Sequence, residues 1–163
     1  ECIQSPQRQG LIHSFYEGYR VIMPAGLRQG AILGVGHDIC SITRIQNILE
    51  THPDRFLSRI CTDAEKAEAN TRAHLASYVA GRFAAKEALY KALSAAEQTK
   101  MSWHHAEILT GQKGMPILSL NGRCRDGLMS LVADGATPQL HLSLSHDGGL
   151  ASAFVIVSSM TDK

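Results

Sequence analysis

Cysteine is sparse and unpatterned in this chain. Cys2, Cys40, Cys61 and Cys124 form no Cys-x-x-Cys pair, and their spacing suits neither a disulfide framework nor a structural zinc. That usage points to a reducing compartment, with the cytoplasm as default. Net charge is also lacking: 16 Lys and Arg stand against 15 Asp and Glu, a formal charge of +1. No overall field gathers nucleic acid or a membrane surface, so neither is expected as a partner and recognition of any charged partner must be local. No apolar run reaches the length of a bilayer span, because Gly, Arg or His interrupts the longest ones. Internal repeats and low-complexity tracts are missing too. What remains is 163 residues, 44% apolar and 19% charged, enough for one ordinary core.

Residues 1–30 read as an N-terminal arm apart from a domain over 31–163. Leu11 to Met23 shows no clear period, and Pro24 to Gly30 reads as a linker. A first residue of Glu1 instead of Met favours a processed leader, which would make a plastid or mitochondrion the compartment, or excision from a longer synthase. From Ala31 the apolar run to Gly36 predicts a buried strand that ends at Asp38. Ser41 or Thr43 can cap a helix to about Glu50, and Thr62 with Glu65 offers a capping box for another. Helical spacing of Leu75, Tyr78, Val79, Phe83, Leu89, Tyr90 and Leu93 predicts a central helix from about Arg72 to Ala96. Strands follow at 106–109 and 116–120, a helix near 123–133, and strands at 139–145 and 150–157 joined by the Asp147-Gly148-Gly149 turn.

Three groups of residues carry chemistry. Glu87 and Lys91 stand one helical turn apart in an alanine-rich helix, an acid and an ammonium able to hold a metal and a phosphate together. Asp38 would be the second carboxylate, since magnesium at a diphosphate takes one or two carboxylates and fills its octahedron with waters and substrate oxygens. The segment His141 to His146 alternates so that His141, Ser143 and Ser145 share one face, where hydroxyls and imidazole can donate to a phosphate. Plainer readings stand beside each: an exposed Glu87 to Lys91 pair worth about 0.3–0.5 kcal/mol, a turn carboxylate at Asp38, and a solvent-facing edge strand. A serine hydrolase fits poorly, for there is no Gly-x-Ser-x-Gly elbow and adjacent Ser145 and His146 point apart.

Taken together, Gly34-Val-Gly-His-Asp38 with Arg44, Gly81-Arg-Phe-Ala-Ala-Lys-Glu87-Ala with Lys91, Gly114-Met-Pro116 and Leu142-Ser-Leu-Ser-His146 resemble, in order and spacing, the 4'-phosphopantetheinyl transferases of the short holo-[acyl-carrier-protein] synthase type. The likeness covers about Ile32 to Val157. It implies an α+β single domain with an antiparallel sheet packed on a long central helix. It also implies Mg2+-dependent transfer of the phosphopantetheine arm of coenzyme A to a serine of apo acyl carrier protein. Asp38 and Glu87 take the positions of the family's metal ligands, and Lys91 that of a phosphate-stabilising cation. Either carboxylate or a metal-ordered water would accept the serine proton, with Glu87 ranked first. Ser145 and His146 are implied for the 3'-phosphate, Ser143 as a further cofactor-binding residue, His141 faces the same cleft, and Lys86, Gly114 and Pro116 line the nucleotide. The helix after Asp38 is implied as the carrier-docking element, with Arg44, Ile48 and Arg55 as the contacts. A homotrimer with the cofactor cleft between subunits is the implied assembly. Residues 94–100 replace the glycine-bearing turn that the family carries there. The rivals are a non-catalytic coenzyme A or carrier-binding module and a structural trimerisation domain.

Overall fold

The computed structural model describes residues 30–93 and 101–161. The readings that rest on the N-terminal arm and on residues 94–100 lie outside the described residues. The elements run β1 (Gly30–Ser41), α1 (Ile42–Thr51), α2 (Pro53–Ile60), α3 (Asp63–Ala69), α4 (Leu75–Ala92), β2 (Ala106–Thr110), β3 (Pro116–Leu120), α5 (Gly122–Ser130), β4 (Ala136–Asp147) and β5 (Leu150–Thr161). β1, β5 and β4 form an antiparallel sheet in that order, and β2 with β3 makes a separate hairpin. The architecture is α+β, with helix α4 laid on one face of the larger sheet. Among the described residues no helix is long and apolar enough to cross a membrane.

Local chemistry sets the boundaries. The Ser41 hydroxyl accepts the Arg44 amide at 3.2 Å and starts α1. At α3 the Thr62 hydroxyl takes the Glu65 amide at 3.3 Å while the Glu65 carboxylate takes the Thr62 amide at 2.8 Å, a reciprocal capping box. Gly148 and Gly149 supply the two positive φ angles, +54° and +76°, of the two-residue turn between β4 and β5. Continuous pairing with β5 carries β1 through to Ser41, so Asp38 sits mid-strand opposite Ala153 and not at a strand end.

The core lies between α4 and the inner face of the sheet. Ala84, Ala85, Ala88 and Leu89 are fully buried there against Ala151, Val155 and Val157. Small side chains let backbones approach closely. A Cβ at Gly34 or Gly36 would collide with the carbonyl oxygens of Ala92 and Ala88, so bare glycine fixes how near β1 comes to α4. That approach brings Asp38 on β1 to Glu87 and Lys91 on α4.

Candidate active site

Asp38 is mostly buried, and its Oδ1 accepts the Lys91 ammonium at 2.8 Å; the same ammonium donates to the His37 carbonyl at 3.0 Å. The expected i,i+4 partner of Lys91 is thus displaced by an acid from another element. Glu87, half-buried one turn earlier, feels both neighbours. Burial foremost, then the Asp38 charge, pushes its carboxyl above the usual range, while Lys91 and Arg44 pull it back. Lys91 is held more firmly protonated than an ordinary lysine, above all by its hydrogen bond to Asp38. Two acids distant in sequence therefore meet closely enough for their charges to interact. Among the described residues no group of three or more His, Cys, Asp and Glu could hold a metal. A two-carboxylate donor set suits magnesium, which completes its shell with water and substrate oxygens, better than zinc, which wants three or four nitrogen and sulfur ligands.

A concavity of about 350 Å³ lies elsewhere around α4 and is lined by Arg72, His74, Arg82, Thr110, Gly114 and His146, among others. His146 reaches it because Gly81 has no side chain: a Cβ there would stand 2.9 Å from the imidazole Nε2. The amino end of α4 opens into the same place. No side chain caps it at His74, so its first amides add to the attraction for an anion. Gly114 lines the groove, whereas Pro116 pairs with Thr110 in the hairpin and is not among the lining residues. Arg72, His74 and Thr110 were not singled out from sequence, where an arginine three residues past a helix end carries no distinguishing pattern, and Arg82 stood within the quoted motif without a role of its own.

Residues 34–144 match the family model of the 4'-phosphopantetheinyl transferase superfamily. The chain belongs to that superfamily. The holo-[acyl-carrier-protein] synthase of Methylorubrum populi is 40% identical over 79% of this chain and 95% of its own length. That of Nitrobacter hamburgensis is 42% identical over 80% and 96%. Among solved structures, the holo-ACP synthase of Plasmodium yoelii superposes with a TM-score of 0.66 at 28% identity, covering 83% of this chain and 99% of that one. The Bacillus anthracis synthase, in complex with CoA (3',5'-ADP), gives 0.61 at 32% identity, covering 80% and 98%.

Within this transferase domain the other expected site residues divide. Lys86 does not line a cleft: it is fully buried, and its ammonium donates to the Glu65 carboxylate at 2.7 Å and to the carbonyls of Ile60 and Trp103 at 2.7 and 2.9 Å. Helical geometry explains the correction, for a residue beside Glu87 points about 100° away from it. His141, Ser143 and Ser145 do share one face of β4, but it is the outer face of the sheet, where His141 meets the Ser158 hydroxyl at 3.2 Å. Strand alternation turns only His146 towards Gly81 and the groove, so these three do not join it within one chain. Arg44 is exposed on α1 with its guanidinium 5.5 Å from the Phe83 ring centroid, on the side of α4 that carries Glu87. Ile48 is half-buried on α1, and Arg55 is exposed on α2.

Proposed function

We propose that this chain transfers the 4'-phosphopantetheine arm of coenzyme A to a serine of an apo acyl carrier protein, releasing adenosine 3',5'-bisphosphate. The reading rests on the family and on one observation above all, the meeting of Asp38, Glu87 and Lys91 where β1 crosses α4. Asp38 and Glu87 are the residues that would hold Mg2+. Bound there, the ion would neutralise charge on the diphosphate. Glu87, whose proton affinity is raised, takes the proton of the serine hydroxyl as its oxygen forms the new bond to the β-phosphorus. The bond from that phosphorus to the bridging oxygen breaks, and the electron pair leaves on the nucleotide. Lys91 keeps its positive charge beside the developing one. Gly114 and His146 border the groove that takes the nucleotide end, together with the two arginines. Arg44, Ile48 and Arg55 face the carrier, and the arginine contacts weaken with salt.

The two halves of the site do not face one way. At about 100° per residue, Arg82 and Glu87 point about 140° apart around α4. A second copy supplying the groove to the first copy's carboxylates resolves this, and a cyclic homotrimer is the assembly proposed. Ser143 and Ser145 on the outer sheet face would then approach the nucleotide only across such a boundary. The test is direct: incubate the protein with apo carrier, coenzyme A and Mg2+, and weigh the carrier. A gain of one phosphopantetheine mass is expected, lost in Glu87→Gln while coenzyme A binding remains measurable. A competent carrier that gains nothing, or undiminished transfer by Glu87→Gln, overturns the assignment.

A further inference from the structure

Between α3 and the amino end of α4 stands an arrangement that the transfer chemistry does not itself require. Glu68, mostly buried, accepts the Thr110 amide at 3.1 Å on Oε2 and pairs through Oε1 with Arg72, with the Arg82 guanidinium 3.8 Å from the same oxygen. The Thr110 hydroxyl accepts both guanidiniums, Arg72 at 2.8 Å and Arg82 at 2.9 Å. Arg82 is further fixed by donating Nε to the Ile108 carbonyl at 3.1 Å and by lying 3.9 Å over the Tyr78 ring, which Arg72 also approaches at 5.4 Å. Burial alone would raise the Glu68 carboxyl, but the Thr110 hydroxyl, Arg72, the Thr110 amide and Arg82 outweigh it and hold the group at about 2. It stays ionised across the working pH range.

Two guanidiniums sharing one hydroxyl oxygen would repel each other and splay. A carboxylate between them removes that repulsion, and a guanidinium has more N–H donors than these contacts consume. The remaining donors belong to a groove that also holds His74, His146 and the uncapped start of α4. Such a pair is built for a terminal phosphate, whose oxygens accept several charge-assisted hydrogen bonds at once.

We propose that Glu68 and Thr110 are positioning residues that hold Arg72 and Arg82 as a preformed receptor for the 3'-phosphate, and that this geometry sets the preference for coenzyme A over 3'-dephospho-coenzyme A. The inference rests on the coenzyme A reading above. It opposes what net charge alone would do. If charge governed the groove, removing an acid would leave it more positive and tighten phosphate binding. If positioning governs, removing the acid frees Arg72 and weakens it.

Calorimetric titration of the intact protein with coenzyme A and with 3'-dephospho-coenzyme A separates the two. Glu68→Gln and Thr110→Val are each expected to weaken coenzyme A about tenfold, as loss of a charge-assisted contact does, while the dephospho ligand moves less than about twofold. Thr110→Ser, which keeps the hydroxyl, retains the discrimination. In turnover the same loss enters KM and leaves kcat unchanged. Tighter coenzyme A binding by Glu68→Gln overturns the proposal, and so does an equal loss for both ligands. A wild-type protein that binds both ligands equally also sinks it, whereas one that binds neither strikes the coenzyme A reading itself.

Discussion

Glu87 carries a conflict that the rest of the site is built around. Burial and the neighbouring Asp38 make its charged form costly, yet the metal binding and proton transfer proposed for it need that form. A carboxyl with a raised folded pKa binds its proton more tightly in the native than in the unfolded state. The native state therefore gains as pH falls through the interval between the raised value and the ordinary 4.5, and carries the full penalty above it. Glu87→Gln removes the penalty. In the metal-free protein at pH 7 it is expected to raise the melting temperature by about a degree or two while abolishing the proposed transfer. The gap should close as pH is lowered towards 4.5, where wild-type Glu87 takes up a proton and comes to match the amide. Melting curves of both proteins across that range check the sign. A gap that widens on acidification would mean that Glu87 is stabilised as the anion.

At the scale of elements, the buried pair of Glu65 and Lys86 ties α3 to α4 and to the strand beyond. Glu65 also accepts the Ile108 amide at 2.8 Å, so each partner is fully bonded. Lys86→Met strands that carboxylate, and breaking such a pair costs about 3 kcal/mol or more, or roughly 6 °C or more in melting temperature. Below the new midpoint, coenzyme A affinity should hold within about twofold if the role is structural. A variant of unchanged stability with lost affinity would return Lys86 to the nucleotide cleft. Periodicity could not reveal this. Much of the fold was legible because short-range chemistry fixes it: the Thr62 capping box, the Gly148-Gly149 turn, and the alternation of β4 all appear where spacing puts them. The approach of Asp38 to Glu87 and Lys91 was legible through motif order. Lys86 and the three residues of β4 were not, since a motif names neighbours in sequence while helix and strand geometry send neighbours to different faces. Glu68 and Arg72 escaped for a related reason: four residues apart, they look like any solvated pair, and only the hairpin residue Thr110 turns them into a receptor.

For the whole molecule, the outer face of the β1, β5 and β4 sheet decides what a single copy can do. Rows such as Val35, Ile156 and His141, or His37, Phe154 and Ser143, run across its middle without a Lys, Arg, Asp or Glu, while the end row of Ser41, Leu150 and Asp147 carries an acid. Val35, Ile39 and Phe154 are 50%, 55% and 42% exposed, an apolar uncharged surface of the kind that copies of a chain can share without repulsion. The carboxylates and the groove point apart around α4, which is why the proposed site draws on a neighbouring copy. Mixing inactive proteins then tests assembly and site together. Glu87→Gln lacks the carboxylate half, and the double variant Arg72→Ala with His146→Ala lacks the groove half. Alone, each should transfer little or nothing. After the two are unfolded, mixed in equal amounts and refolded, a site works only where the intact halves meet, half times half of random neighbours, or about a quarter of wild-type activity. A Val35→Glu change in both chains puts like charges at the boundary and should abolish that recovery, with a fall in molecular mass by light scattering. Activity that never rises above the sum of the separate variants would confine the complete site to one chain.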